Sequence, residues 1–211
     1  MEIMDQLKKG TTTVGLICDG SVVLASEKRA TMGSFIASKA AKKIYQVDER
    51  IGLTTAGIVG DAQTLVRILS VEARLYKIRR QEPMTVKAMT TLLSNVLSGQ
   101  RFFPYLVQLL VGGIDRNGAH IFSVDPFGGN TDEREIAATG SGSPIAYGVL
   151  EDRYSEDMSQ EEGIALAIQA LHSAMKRDSA SGEEMEVIVI TKEKYEEISE
   201  EKIKKLRSSF R

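Results

Sequence analysis

Residues 10–26 read Gly10-Thr11-Thr12-Thr13-Val14-Gly15-Leu16-Ile17-Cys18-Asp19-Gly20-Ser21-Val22-Val23-Leu24-Ala25-Ser26, and this stretch predicts a β-hairpin. Two runs rich in β-branched and apolar residues flank Asp19-Gly20, which is a strong signal for a two-residue hairpin turn. We therefore predict strands over residues 12–18 and 21–26. If Cys18 faces Ser21, Thr12 faces Glu27, so a carboxylate arrives beside the start of the first strand. A slip of one residue would reverse the faces.

The pair Gly10-Thr11 is also a candidate site of chain cleavage. A threonine hydroxyl is a weak nucleophile, but a free α-amine on the same residue can act as its base, directly or through one water. Gly10 allows the tight geometry in which the hydroxyl closes on the preceding carbonyl. This pattern indicates cleavage after Gly10 to expose Thr11 as the nucleophile. An ordinary strand start, which β-branched residues also favour, is the alternative.

Composition excludes several classes of protein. The 211 residues carry 27 Lys and Arg against 29 Asp and Glu, a formal charge of −2, so we expect no nucleic-acid partner. Cys18 is the single cysteine, and His120 and His172 are too few for a typical zinc site, so we expect neither metal nor cofactor. With no signal peptide and no long apolar run, the chain is expected to be cytoplasmic and away from membranes.

The remaining pattern gives the predicted layers. Strands are predicted over 43–47 and 51–56, extending the first sheet, and over 107–115, 119–125 and 185–191. Helices are predicted through 62–76 and 86–97, after the Ser159/Glu162 capping box as far as 176 or 177, and after Ser199. This order predicts an α+β fold, a four-layer αββα sandwich of two mostly antiparallel sheets.

A lysine and a carboxylate form the next candidate pair. Strand alternation puts Lys42 and Lys43 on opposite faces, so one of them points inward and needs a carboxylate, for which Glu27 is the nearest candidate. An ammonium beside Thr11 would favour the alkoxide and lower the pKa of the α-amine. Two ordinary solvated lysines are the alternative.

Three loops rich in small residues carry the remaining candidate site residues. In Thr54-Thr55-Ala56-Gly57-Ile58-Val59-Gly60-Asp61 a backbone N–H at Gly57 is suited to an oxyanion, and Asp61 is the expected helix N-cap. The other two loops are Gly140-Ser141-Gly142-Ser143-Pro144 and Arg177-Asp178-Ser179-Ala180-Ser181-Gly182. Each of these also suits a plain helix terminus.

Together these motifs resemble a known family, the β subunits of the 20S proteasome, closest to the archaeal type, within the N-terminal nucleophile hydrolases. The likeness spans nearly the whole chain. It rests on Gly10 to Gly15, Lys42-Lys43, Thr55-Ala56-Gly57-x-x-Gly60-Asp61, Leu109-Leu110-Val111-Gly112-Gly113, Gly140 to Ser143 and Arg177-Asp178-x-x-Ser181-Gly182, in the family's order.

The resemblance implies roles for individual residues. Residues 1–10 would be a propeptide removed by self-cleavage, and 11–211 a single peptidase domain whose Thr11 attacks peptide carbonyls. Lys43 corresponds to the catalytic lysine, Glu27 to the acid that holds it and Gly57 to the oxyanion donor. Ser141, Asp178 and Ser181 fall where the family orders the threonine and its water. Many members carry aspartate at position 27, and glutamate adds one methylene.

The resemblance also implies a substrate path and partners. Substrate backbone would pair with the strand edge near Thr31, and the pocket before the cut would be lined by Ala30, Ala41, Tyr45, Thr55 and Val59. These side chains are uncharged and favour chymotrypsin-like cleavage. The implied partners are α subunits and further β subunits in stacked seven-membered rings (α7β7β7α7), an ATP-dependent unfoldase and unfolded polypeptides.

Two other readings remain open from the sequence. One is a structural ring subunit that keeps the fold without processing, although such chains usually lose Gly10, Thr11 or Lys43. The other is a different N-terminal nucleophile amidase or the bacterial two-ring peptidase relative. The ten-residue leader and the long segment after Asp178 argue against the bacterial relative.

Overall fold

The computed structural model describes residues 10–210, so the predicted propeptide, apart from Gly10, lies outside the described residues. The strands are β1 (Thr12–Cys18), β2 (Ser21–Glu27), β3 (Ala30–Met32), β4 (Phe35–Ser38), β5 (Ile44–Asp48), β6 (Ile51–Gly57), β7 (Val107–Asp115), β8 (Gly118–Val124), β9 (Asn130–Glu133), β10 (Ile136–Gly140), β11 (Met185–Ile190) and β12 (Tyr195–Glu197). The helices are α1 (Val59–Arg80), α2 (Val86–Ser98), α3 (Ser143–Arg153), α4 (Gln160–Arg177) and α5 (Glu200–Ser209).

The predicted hairpin forms as β1 and β2. Asp19 and Gly20 both have positive φ (45° and 65°), as a type I′ turn requires. Cys18 pairs with Ser21 and Thr13 with Ser26, which is the predicted register. The carboxyl group of Glu27 consequently reaches the backbone of Thr12.

The hairpin forms the centre of the first sheet, whose strand order is β10-β1-β2-β11-β12. Its pairings are antiparallel throughout. Val187 and Val189 of β11 alternate with Ile188 and Ile190, so that successive residues face the helices and the second sheet in turn.

The prediction that 43–47 and 51–56 extend the first sheet is wrong. These strands, β5 and β6, lie in a second antiparallel sheet of order β5-β6-β7-β8-β9. Both edges of the first hairpin are already taken, by β10 beside β1 and by β11 beside β2. Between β2 and β5 the chain forms the separate β3–β4 hairpin, after which it enters the other sheet.

Three apolar clusters hold the layers together. Leu24, Ile44, Leu110, Ile121 and Ile188 pack between the two sheets. A second cluster joins the outer face of the second sheet to α1 and α2, and a third joins the first sheet to α3, α4 and α5. The predicted four-layer αββα sandwich is therefore confirmed.

Helix ends follow the predicted chemistry at two places. Ser159 and Glu162 form the reciprocal capping box of α4, and the Ser199 hydroxyl accepts from the N–H of Lys202 at the start of α5. Gly142 occupies the N-cap of α3, and Asp178 is the C-cap of α4. Among residues 10–210, no helix combines the length and apolar character needed to cross a bilayer.

Candidate active site

Thr11 lies just before β1 and is 4% exposed. Its hydroxyl lies against the carbonyl oxygen of Gly10, to which it donates a hydrogen bond. Gly10 has a φ of 103°, and a Cβ at this position would stand 2.7 Å from the Thr31 hydroxyl. Only glycine fits this backbone without strain, so the local geometry brings the threonine oxygen onto the peptide group that precedes it.

Glu27 and Lys43 form a buried ion pair behind Thr11. Glu27 Oε1 accepts from Lys43 Nζ and, at 3.3 Å, from the N–H of Thr12. Its Oε2 accepts from the N–H groups of Arg29 at 2.7 Å and Gly182 at 3.1 Å. Lys43 Nζ also donates to the Arg29 carbonyl at 2.6 Å. Lys42 is exposed, so the predicted division between the two lysines is confirmed.

Burial sets the proton affinities of this pair. Burial raises the pKa of the Glu27 carboxyl above its usual value, although the attraction of Lys43 opposes the rise. Burial likewise lowers the pKa of the Lys43 ammonium, against the attraction of Glu27 and of the Asp178 carboxylate. Lys43 therefore gives up its proton more readily than a lysine in water.

A chain of hydroxyl groups approaches Thr11 from the other side. Asp178 Oδ2 accepts from the hydroxyls of Ser141 and Ser181, both at 2.6 Å. The Ser141 oxygen in turn lies 3.4 Å from the backbone N of Thr11. Because Ser181 gives its one proton to Asp178, the Thr12 hydroxyl 2.7 Å away must donate to Ser181. One carboxylate thus orients three hydroxyl groups around Thr11.

Gly57 ends β6 in the same pocket as Thr11 and has a φ of 128°. A Cβ there would collide with the carbonyl of Leu106. Asp61 is not the helix N-cap that we predicted, since Ile58 occupies that position and Asp61 sits within the first turn of α1. The Asp61 carboxylate instead accepts from the N–H of Leu106 at 2.9 Å, while the Leu106 carbonyl accepts from Ile58 at 2.9 Å. These two bonds fix the loop that carries Gly57.

One pocket contains the predicted substrate-side residues together with Thr11, Lys43 and Gly57. Its walls are Gly10, Thr11, Ala30, Thr31, Ala41, Lys42, Lys43, Tyr45, Thr55, Gly57 and Val59. The Tyr45 hydroxyl donates to the carbonyl of Lys42 at 2.9 Å. Every residue predicted for the site lies in this pocket or in the hydrogen-bond network behind it.

Comparison with known proteins matches residues 7–190 to the family described as "Proteasome subunit". The chain belongs to the proteasome family.

Curated relatives agree over nearly their full length. "Proteasome subunit beta" of Methanococcoides burtonii is 64% identical over 203 residues, covering 96% of this chain and 97% of the relative. The protein of that name from Archaeoglobus profundus is 59% identical, covering 100% and 98%. The resemblance to archaeal-type proteasome β subunits, and with it the assignment to the threonine-type peptidases, is confirmed.

Two residues of this proteasome site were missed from the sequence. The Thr12 hydroxyl is fully buried within the Asp178 network, although in the sequence it reads as one more β-branched strand residue. Arg29 looks like a surface charge, yet its backbone binds both members of the Glu27–Lys43 pair. The only available signal for Thr12 was the predicted register, which already placed it opposite Glu27.

Within residues 10–210, no group of three or more His, Cys, Asp or Glu side chains is placed to hold a metal ion.

Proposed function

We propose that Thr11 is the nucleophile of this proteasome subunit and that cleavage after Gly10 exposes it. The observation that carries the proposal is the contact of the Thr11 hydroxyl with the Gly10 carbonyl, between the Lys43–Glu27 pair and the Ser141–Asp178 pair. Attack of Oγ1 on the Gly10 carbonyl carbon would move the acyl group from nitrogen to oxygen. Water would then hydrolyse that ester, releasing residues 1–10 as a propeptide and leaving 11–211 as the peptidase domain.

Peptide hydrolysis repeats the chemistry on a bound substrate. The freed α-amine takes the Thr11 hydroxyl proton, directly or through one water, while Oγ1 attacks the scissile carbonyl. Lys43 supplies positive charge beside the developing alkoxide, and the Gly57 N–H stabilises the oxyanion. The amine product leaves with the proton, and water hydrolyses the acyl ester. While the bond between Gly10 and Thr11 is intact, Thr11 nitrogen is an amide and cannot act as the base.

The substrate backbone would add to the edge of β3 at Thr31. Within residues 10–210, β3 pairs with β4 alone, so its second edge is open beside the pocket. Backbone pairing of this kind reads little sequence. Selectivity then falls to Ala30, Ala41, Tyr45, Thr55 and Val59, the uncharged part of a lining that also contains Lys42 and Lys43. This uncharged part favours cleavage after apolar or aromatic residues.

Assembly with proteasome α subunits and further β subunits, in stacked seven-membered rings of the form α7β7β7α7, is part of the proposal. Large apolar side chains that this chain leaves in water support it: Val71 (53% exposed), Ile78 (67%), Phe102 (95%) and Phe103 (87%). Stacked rings of this form would enclose a chamber, and an ATP-dependent unfoldase would deliver unfolded polypeptides to it in the cytoplasm.

The proposed function is tested on particles co-assembled with an archaeal proteasome α subunit. A peptide carrying an electrophilic vinyl sulfone after a leucine should label Thr11, and peptide mapping should find no label in Thr11→Ala. Fluorogenic peptides ending in leucine or phenylalanine should be cut faster than those ending in arginine or aspartate. Labelling at another residue, or hydrolysis that survives Thr11→Ala, would contradict the assignment.

A further inference from the structure

The loop between α4 and β11 controls several contacts of the site at once. Asp178 begins this loop and orients Ser141 and Ser181. Gly182, near its end, donates to Glu27 Oε2. A small displacement of this loop would therefore disturb both the hydroxyl chain and the acid that holds Lys43.

Glu183 closes the loop in an unfavourable backbone conformation. Its φ is 67°, in the left-handed region, where a residue with a side chain is strained relative to its usual conformation. Glycine would adopt this conformation without that strain. Contacts to the side chain and backbone of Glu183 therefore hold it in this conformation.

Arg29 holds the loop from the side of the active site. Its Nη2 donates to Glu183 Oε1 at 3.0 Å, and its Nη1 donates to the Ser179 carbonyl at 2.8 Å. The guanidinium lies so close to Gly182 that a Cβ there would collide with it. Arg29 Nε is buried without a hydrogen-bond partner among the described residues. The guanidinium therefore lies against the loop although one of its N–H groups is left without an acceptor.

Arg207 of the C-terminal helix α5 holds the same residue from the other side. Its Nη1 donates to the Glu183 carbonyl at 2.9 Å. Its Nε lies 3.3 Å from Nδ1 of His172 on α4, which fixes the direction of the guanidinium. Glu183 thus joins an arginine of the active site to an arginine of the outer helical layer.

We propose that Glu183 is a positioning residue for peptide hydrolysis by Thr11. It is held between Arg29 and Arg207, and this keeps the contact of Gly182 with Glu27 and the contacts of Asp178 with the serine hydroxyls in place. This inference rests on the proposed function, because it concerns the rate of the same reaction. The clamp, defined as Arg29, Glu183 and Arg207, touches no reacting atom. It acts through Gly182 and Asp178.

The left-handed backbone allows a test in which activity and stability should move apart. In Glu183→Gly the strain is relieved while the bond to Arg29 is lost. Processed particles carrying this change should lose about tenfold in kcat with little change in KM, because a small misplacement of catalytic groups costs rate. Their unfolding temperature should equal or exceed that of the unmutated particle.

Two further variants test whether the loss of kcat comes from the lost bond between Glu183 and Arg29. Glu183→Gln keeps an oxygen acceptor for Arg29 and should recover most of kcat. Lys39, 70% exposed with its Nζ 3.8 Å from Glu183 Oε1, provides the matched control, so Lys39→Met should leave kcat unchanged. If Glu183→Gly does not assemble, Arg207→Met should show the same loss of kcat and Arg207→Lys should restore it.

Normal kcat in Glu183→Gly, or in Arg207→Met where that variant replaces it, would overturn the clamp. So would a Gln variant no better than the Gly variant. Inactive unmutated particles would instead overturn the proposed function, and the clamp with it, which keeps the two failures apart.

Discussion

Lys43 and Glu27 form an ion pair in which the Glu27 side chain is fully buried and that of Lys43 is 7% exposed. Removing one partner of a buried pair leaves an uncompensated charge, which costs about 3–5 kcal/mol. Lys43→Met should therefore lower the free energy of unfolding of the unassembled chain by about this amount, measured by denaturant titration.

The double variant Lys43→Met/Glu27→Gln separates stability from chemistry. With both charges gone it should recover most of the lost stability, yet remain inactive after assembly because no cation faces Thr11. A double variant that hydrolyses peptides at the normal rate would show that Lys43 serves only the fold.

Asp61 is expected to fix the position of the Gly57 N–H, the proposed oxyanion donor. Asp61→Ala removes the acceptor for the Leu106 N–H and should lower kcat by about tenfold to a hundredfold, as a misdirected oxyanion donor does. A peptide boronate, which forms a tetrahedral adduct, should bind more weakly by a similar factor. Binding of the cleaved product peptide, which has no tetrahedral carbon, should not change.

Asp61→Asn supplies the control for that experiment, because its side-chain oxygen still accepts from Leu106. It should keep nearly normal kcat and boronate affinity. Equal loss of boronate and product binding in Asp61→Ala would point to a collapsed pocket instead.

The Thr12 hydroxyl is expected to act through Ser181. Thr12→Val keeps the shape of the side chain but leaves Ser181 without its donor, so kcat should fall about tenfold, equivalent to about 1.4 kcal/mol. Thr12→Ser, which retains the hydroxyl, should be close to normal. The measurement is kcat for peptide hydrolysis by processed particles. A normal kcat in Thr12→Val would show that the Thr12 side chain contributes packing and that its hydroxyl is not needed.

Glu186 gives a pH dependence of stability. It is 4% exposed, with one carboxyl oxygen lacking a partner among the described residues. Burial raises the pKa of this carboxyl, helped by Glu197 and opposed by Lys42 and Lys28. The folded state therefore holds the proton to a higher pH than the unfolded state, and stability must fall as the pH rises from about 4.3 through the raised pKa.

Glu186→Gln removes this titration. The variant should be more stable than the unmutated chain at pH 8, by about 1–3 kcal/mol, and the difference should shrink toward pH 4. Denaturant titration of the unassembled chains at the two pH values measures it. A difference in the free energy of unfolding that grows toward low pH would contradict a raised pKa of Glu186.

Local patterns predicted the elements whose signals are themselves local. The Asp19-Gly20 turn determined the first hairpin and its register, and the hairpin alone placed Glu27 beside Thr12. Strand alternation left open whether Lys42 or Lys43 points inward, and the family resemblance selected Lys43; Glu27 followed as its partner because a buried ammonium needs a carboxylate. The capping box of α4 was equally legible.

Non-local choices were not predictable in the same way. Nothing in residues 43–56 states which sheet they join, because that depends on β10 and β11, which occupy the hairpin edges from more than 100 residues away along the chain. The exposed strand β9, Asn130–Glu133, lacks an apolar pattern altogether. Asp61 has a side chain suited to capping, and only the fold brings Leu106 within its reach.

Self-cleavage after Gly10 is measured by the intact mass of the chain co-expressed with an archaeal proteasome α subunit, with Thr11→Ala as the parallel sample. Loss of residues 1–10 in the unmutated chain and their retention in Thr11→Ala is the predicted result. Retention of residues 1–10 in both chains would contradict self-cleavage and leave this chain as a structural subunit of the ring.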